Sequence, residues 1–149
     1  MSKKEVQQVS ERFVSASIAI IERSMMNDGA AGLRVVFERN RSYCELRDIG
    51  EEGLAELRGL MAHPHMAVRL SAAACYRFID SYQGLTAINR LSRNCNAYPL
   101  GSLERKVAFT ASAVIAVAAS GEPSPSVDPY DAWQKAKEEK AKTESKPKG

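Results

Sequence analysis

The sequence predicts an all-α fold, a short stack of helical hairpins, on three observations. Apolar residues recur at steps of three and four along most of the chain. Turn signals at Asn27-Asp28-Gly29, Gly50, His63-Pro64, Gln83-Gly84 and Tyr98–Gly101 cut it into pieces of helical length. One hairpin pattern also occurs twice, as set out below. About six helices are expected within residues 1–121, with residues 122–149 forming a Pro/Ser linker, a short helix and a disordered Lys/Glu-rich tail.

The first helix is expected from about Lys4 to Met26, with Val6, Val9, Phe13, Ile18, Ile20 and Ile21 as its apolar residues. The second runs from about Ala30 to Asp48, with Leu33, Phe37, Cys44 and Leu46 as core and Gly50 as its cap. The third, Glu51 to Ala62, turns Leu54, Leu57, Leu60 and Met61 inward.

The fourth, about His65 to Tyr82, is the element around which the others are arranged. Val68, Ala72, Cys75 and Ile79 share one face, with Ala73, Ala74 and Phe78 beside them. Pro64 lacks an N–H and has a fixed φ, so it suits the start of a helix and would break its interior. Small inward side chains let neighbouring helices come close. The fifth helix, to about Arg93, points Leu85, Ile88 and Leu91 inward. Asn94 to Gly101 is a loop. The sixth, Ser102 to Ala119, buries Val107, Ala111, Val114, Ile115 and Ala118, with Ser102 as a cap that lacks an acidic partner at Arg105. After the linker, Asp128-Pro129-Tyr130-Asp131 reads as a new helix start: a capping aspartate, a proline at the first position and a carboxylate in the first turn.

The repeat supports this division. Gly53, Leu54, Leu57 and Leu60 match Gly84, Leu85, Ile88 and Leu91 at an offset of 31. Val68, Leu70, Ala72, Cys75 and Phe78 match Val107, Phe109, Ala111, Val114 and Val117 at an offset of 39. The extra positions fall around the Tyr98–Gly101 loop. Hairpins of this kind bury their faces only by stacking.

A chain of 149 residues is normally one domain, and 44% hydrophobic with 26% charged residues is ordinary for a globular one. A net charge of +3 does not demand a nucleic-acid partner. The three cysteines, Cys44, Cys75 and Cys95, form no C-x-x-C pair, so they are expected to be reduced and mostly buried. No targeting or membrane-spanning segment is expected, and the cytoplasm is the expected location.

The segment Leu60-Met-Ala-His-Pro-His-Met-Ala-Val-Arg-Leu-Ser-Ala-Ala resembles the HEAT-repeat signature: a leucine-ended helix, a turn with proline, then Val-Arg and paired alanines. More closely, Arg39 to Ala119 resembles a family of small bacterial proteins known only as a domain of unknown function, number twenty-nineteen. The matching residues include Asn40, Arg41, His63, Pro64, Val68, Arg69, Ala72 and Ala73, together with Leu46, Leu54 and Leu57. The second hairpin departs from the pattern, with Ala108 in the place of Arg69 and Tyr98-Pro99 in that of His-Pro. The resemblance implies a HEAT-like stack. Because such proteins are often encoded among bacterial toxin and secretion genes, it also implies a small cytosolic immunity protein that binds and neutralises a cognate toxin. It carries over no catalytic residue.

Residue chemistry agrees with binding rather than catalysis. No Gly-x-Ser-x-Gly, Gly-rich phosphate loop or His-Glu-x-x-His pattern occurs, and no cofactor is expected. His63 and His65, the only histidines, lack further ligands and belong to a turn rather than a metal site. Arg69 is expected to bridge turn carbonyls or a carboxylate between hairpins.

Charge, however, is unevenly spread. Glu45, Asp48, Glu51, Glu52 and Glu56 surround the junction of the second and third helices, and Arg90, Arg93 and Arg105 flank the loop containing Tyr98. Either cluster could be a solvated face. As contacts, the acidic rim suits a basic partner such as a nuclease toxin, and the basic loop suits an acidic partner or phosphates. A pI of about 8.8 weighs against a nuclease target. Tyr130 and Trp133 share a face of an otherwise polar segment. They either dock on apolar surface left open at one end of the stack, the preferred reading, or anchor a partner. The rivals to an immunity protein are a HEAT-like nucleic-acid binder and a structural adaptor.

Overall fold

In the computed structural model, which describes residues 3–26, 29–120 and 127–145, every regular element is helical. The order is α1 (Lys3–Met25), α2 (Gly29–Ile49), α3 (Glu51–Leu60), α4 (Met66–Tyr76), α5 (Ser81–Ser92), α6 (Leu103–Ala119) and α7 (Pro129–Ser145), with a 3-10 turn at Cys95–Ala97. The expected turn at residues 27–28, the linker at 122–126 and the last four residues of the tail lie outside the described residues.

Helix α4 is central, as its small side chains imply. Eight of its eleven residues are buried: Ala67, Val68, Leu70, Ser71, Ala72, Ala73, Cys75 and Tyr76. Val68, Ala72, Cys75 and Tyr76 face one apolar cluster, with Phe13, Tyr43, Leu46 and Leu57. Ala67, Leu70 and Ala73 face the other, with Ile21, Ile88, Val107 and Ala111. Helix α1 also serves both clusters, through Val9 and Phe13 at one end and Ile21 at the other.

The two histidines build the turn before α4. His63 Nδ1 accepts from the backbone N–H of His65 at 3.0 Å, and His65 Nδ1 caps the helix by accepting from Ala67 at 3.1 Å. Ser102 caps α6 through the Arg105 N–H at 3.2 Å, without an acidic partner. Gly50 ends α2 at φ 96°, a conformation that a Cβ disfavours.

The repeat is visible in the packing. A Cβ on Gly53 would lie 1.8 Å from the Leu46 carbonyl oxygen, and one on Gly84 would lie 2.5 Å from Arg77 Cα. Each hairpin thus opens with a glycine pressed against backbone seven positions earlier (46 to 53, 77 to 84).

Four expectations are corrected. The fourth helix stops at Tyr76, not Tyr82, because Asp80 starts the next one, accepting from Gln83 N at 3.0 Å and from its side chain at 2.8 Å. Leu33 and Phe37 are not core but 57% and 63% exposed. The phase of α2 is set by Tyr43 and Leu46, both fully buried, and steps of three and four back from Tyr43 reach Asn40 and Val36 instead. Ala118 is exposed because α6, with 17 residues, outruns the 12-residue α5 that covers it. Finally, α7 is a 17-residue helix, not a short one. Its run of Ala, Lys, Glu and Gln has high intrinsic helix propensity.

Candidate functional site

The tail helix sits on α2 through two carboxylates. Asp128 caps α7, its Oδ1 accepting from the Tyr130 N–H at 3.0 Å. The same oxygen accepts from the Tyr43 hydroxyl at 2.9 Å, while Oδ2 lies 2.7 Å from the Arg47 guanidinium. Arg47 in turn donates to the Tyr43 hydroxyl at 2.9 Å and stacks 4.0 Å from the centre of the Tyr130 ring. The next residue of α2, Asp48, accepts from Tyr130 OH at 2.8 Å, Trp133 Nε1 at 2.7 Å and Lys137 Nζ at 2.6 Å. Partial burial pushes the Asp48 carboxyl up, but the hydrogen bonds from Lys137, Trp133 and Tyr130 outweigh it and hold the group below its usual range. Burial pushes the Tyr43 phenol far above its ordinary value and the Cys44 thiol up to about 12.

Asp48, Tyr130 and Trp133, three of the sequence-derived contact residues, are therefore brought together inside the chain. The preferred docking reading of the two aromatics holds in kind, with α2 as the surface. The sequence marks Asp128 only as a helix cap, and nothing in it connects this residue to Tyr43, which lies 85 positions away.

The other acidic residues separate. Both Glu45 oxygens are engaged, one with Arg41 at 3.1 Å and one with Arg12 at 2.9 Å, which ties α1 to α2. Glu56 accepts from the Ser10 hydroxyl at 2.7 Å. Glu51 and Glu52 are exposed in the first turn of α3. On the basic side, Arg90 and Arg93 are exposed. Arg105 donates to the Tyr98 carbonyl at 3.2 Å and so holds the loop that presents Tyr98. Arg69 does not act as expected: its Nε is buried with no hydrogen-bond partner among the described residues.

Along the other side of α2 runs a groove of about 900 Å³ shared with α1. Its floor is small, with Ala16, Ala19 and Ser42, and exposed residues lining it include Glu11, Arg12, Glu38 and Arg41. Leu33 and Phe37 lie on one face of α2 with Arg41, each four residues from the next, so the exposed apolar pair leads into the groove rim. A phase for α2 with Leu33 and Phe37 inward conceals this surface; the phase with Tyr43 inward exposes it. Among the described residues no group of three His, Cys, Asp or Glu side chains could hold a metal, and no helix is long and apolar enough to cross a membrane. Compared with family models, curated proteins and solved structures, the chain matches none.

Proposed function

We propose that this chain is a non-catalytic protein-binding module, and specifically an immunity-type protein that neutralises a cognate bacterial toxin domain by direct binding. The observation that carries the binding role is the exposed pair Leu33 and Phe37 beside the α1–α2 groove. Large apolar side chains held out on a rigid helix, beside a small-floored channel with a mixed-charge rim, suit a helix or extended segment of a partner protein. The toxin assignment rests on the family resemblance of Arg39 to Ala119 and adds the identity of the partner, not the surface.

The test is co-expression with a candidate bacterial toxin domain. Rescue of growth by the natural chain, lost in Leu33→Asp and Phe37→Asp but kept in Phe109→Asp and in Glu51→Lys/Glu52→Lys, is the expected result. Because Leu33 and Phe37 are exposed, their substitution should leave the melting temperature within a few degrees. Rescue that survives both α2 changes moves the interface elsewhere, and no rescue with no complex ends the immunity reading.

A further inference from the structure

A second, separate cavity lies between α4, α5 and the loop after the 3-10 turn. It measures about 470 Å³, within the range of small-molecule sites. Met61, Met66 and Leu91 give it apolar walls, and Arg69, Arg90 and Tyr98 give it polar ones. None of the described residues lining it is acidic.

Arg69 is the unusual member. A guanidinium N–H removed from water ordinarily has an acceptor, because leaving it unpaired costs stability. Here Nε is shielded without one, although the residue sits in the first turn of the best-buried helix in the molecule. A structural arginine in that position would reach a carbonyl or a carboxylate. This one lines a cavity that a second, exposed cation, Arg90, also lines. Tyr98 lines the site from a loop fixed by Arg105 and by a left-handed turn at Asn94, φ 60°.

We infer that this cavity binds a small organic oxyanion, a carboxylate or phosphate monoester carried on an apolar body, through Arg69 with Arg90 as the second cation. The two terminal nitrogens of Arg69, which are not enclosed as Nε is, can donate to two oxygens of such a group, an arrangement that a lysine cannot reproduce. The methionines and Leu91 receive the apolar body. The inference stands apart from toxin binding and involves a different face of the stack.

The experiment is a titration of the full chain, followed by backbone-amide NMR, with phenyl phosphate, benzoate, inorganic phosphate and benzyl alcohol. Saturable shifts at Ala87, Leu91 and Tyr98 with phenyl phosphate or benzoate, on the order of millimolar or tighter, are expected. The stronger of the two identifies the oxyanion. Benzyl alcohol and inorganic phosphate should each bind at least about tenfold more weakly, since each lacks one half of the recognition. Arg69→Met should abolish binding without lowering the melting temperature, because it removes an unpaired buried donor and keeps the stem. Arg69→Lys should weaken it about tenfold, and Arg93→Gln should leave it unchanged. No saturable shift with either organic anion, equal binding of inorganic phosphate, or binding that survives Arg69→Met overturns the inference. A drop in melting temperature for Arg69→Met would instead make Arg69 a structural residue and overturn it as well.

Discussion

Replacing Asp128 with alanine should release the tail helix from the stack while leaving the rest folded. One carboxylate performs three tasks: it caps α7, pairs with Arg47 at 2.7 Å and accepts from Tyr43 at 2.9 Å. Loss of an N-cap costs about 1 kcal/mol. The ion pair is partly shielded, with side-chain exposures of 24% and 13%, so it should contribute about 1–2 kcal/mol, above the value for a surface pair. The Tyr43 hydroxyl keeps its hydrogen bond from Arg47, which limits its penalty. Because the three share one group they do not add fully, and the net loss should be about 2–3 kcal/mol. That corresponds to roughly a 30- to 150-fold fall in the ratio of docked to undocked α7.

Trp133, the only tryptophan, reports this directly. Its emission should shift to the red and its acrylamide quenching should rise, while far-UV circular dichroism falls only by the fraying of α7. Asp128→Asn separates the terms: asparagine caps well but is uncharged, so it should give an intermediate effect. Identical emission and quenching in Asp128→Ala and the natural chain would refute the reasoning, since the docking would then not depend on this carboxylate.

Further outcomes are expected elsewhere in the chain. Gly53→Ala and Gly84→Ala should each lower stability by about 2 kcal/mol or more through backbone collision, whereas Gly59→Ala, with nothing within 4 Å of its Cβ, should raise it by about 0.5 kcal/mol; urea midpoints decide. In the folded protein a thiol reagent should modify only Cys95, because Cys44 and Cys75 are buried and burial raises both thiols, and a Cys95→Ser chain should be inert until denatured. Since the folded Asp48 carboxyl lies below its ordinary 3.8, its contribution to docking is complete above that pH and is lost as pH falls through the lower folded value. Quenching of Trp133 should therefore be flat from neutral to about pH 5 and rise below pH 4, and Asp48→Asn should remove that step; an identical acid transition in Asp48→Asn would assign it to another group.

The all-helical character of the described residues, the position of nearly every turn and the centrality of α4 were legible in the sequence, because each depends on local chemistry. Small residues at helical spacing, a proline before the helix and glycines at fixed offsets act within a few positions of where they stand. The boundary between α4 and α5 was also local: Asp80 followed by Gln83 is a capping pattern that apolar periodicity across Phe78 and Ile79 overrode. The candidate sites were less legible. Acidic residues close in sequence proved to have different partners, Glu45 on α1 and Asp48 on α7.

The sequence by itself determined that this chain is helical, how it is divided and which helix must lie innermost, since periodicity and turn chemistry are properties of neighbouring residues. Tertiary structure alone decided which face of α2 turns inward and where α7 goes. Apolar residues on α2 fit more than one phase, and the choice fell to Tyr43 and Leu46 through their fit against α1 and α4, leaving Leu33 and Phe37 outside. The tail helix has too little apolar surface of its own to specify a neighbour. Its place was fixed by two carboxylates meeting donors more than 80 positions away in the chain, a pairing that local sequence does not encode.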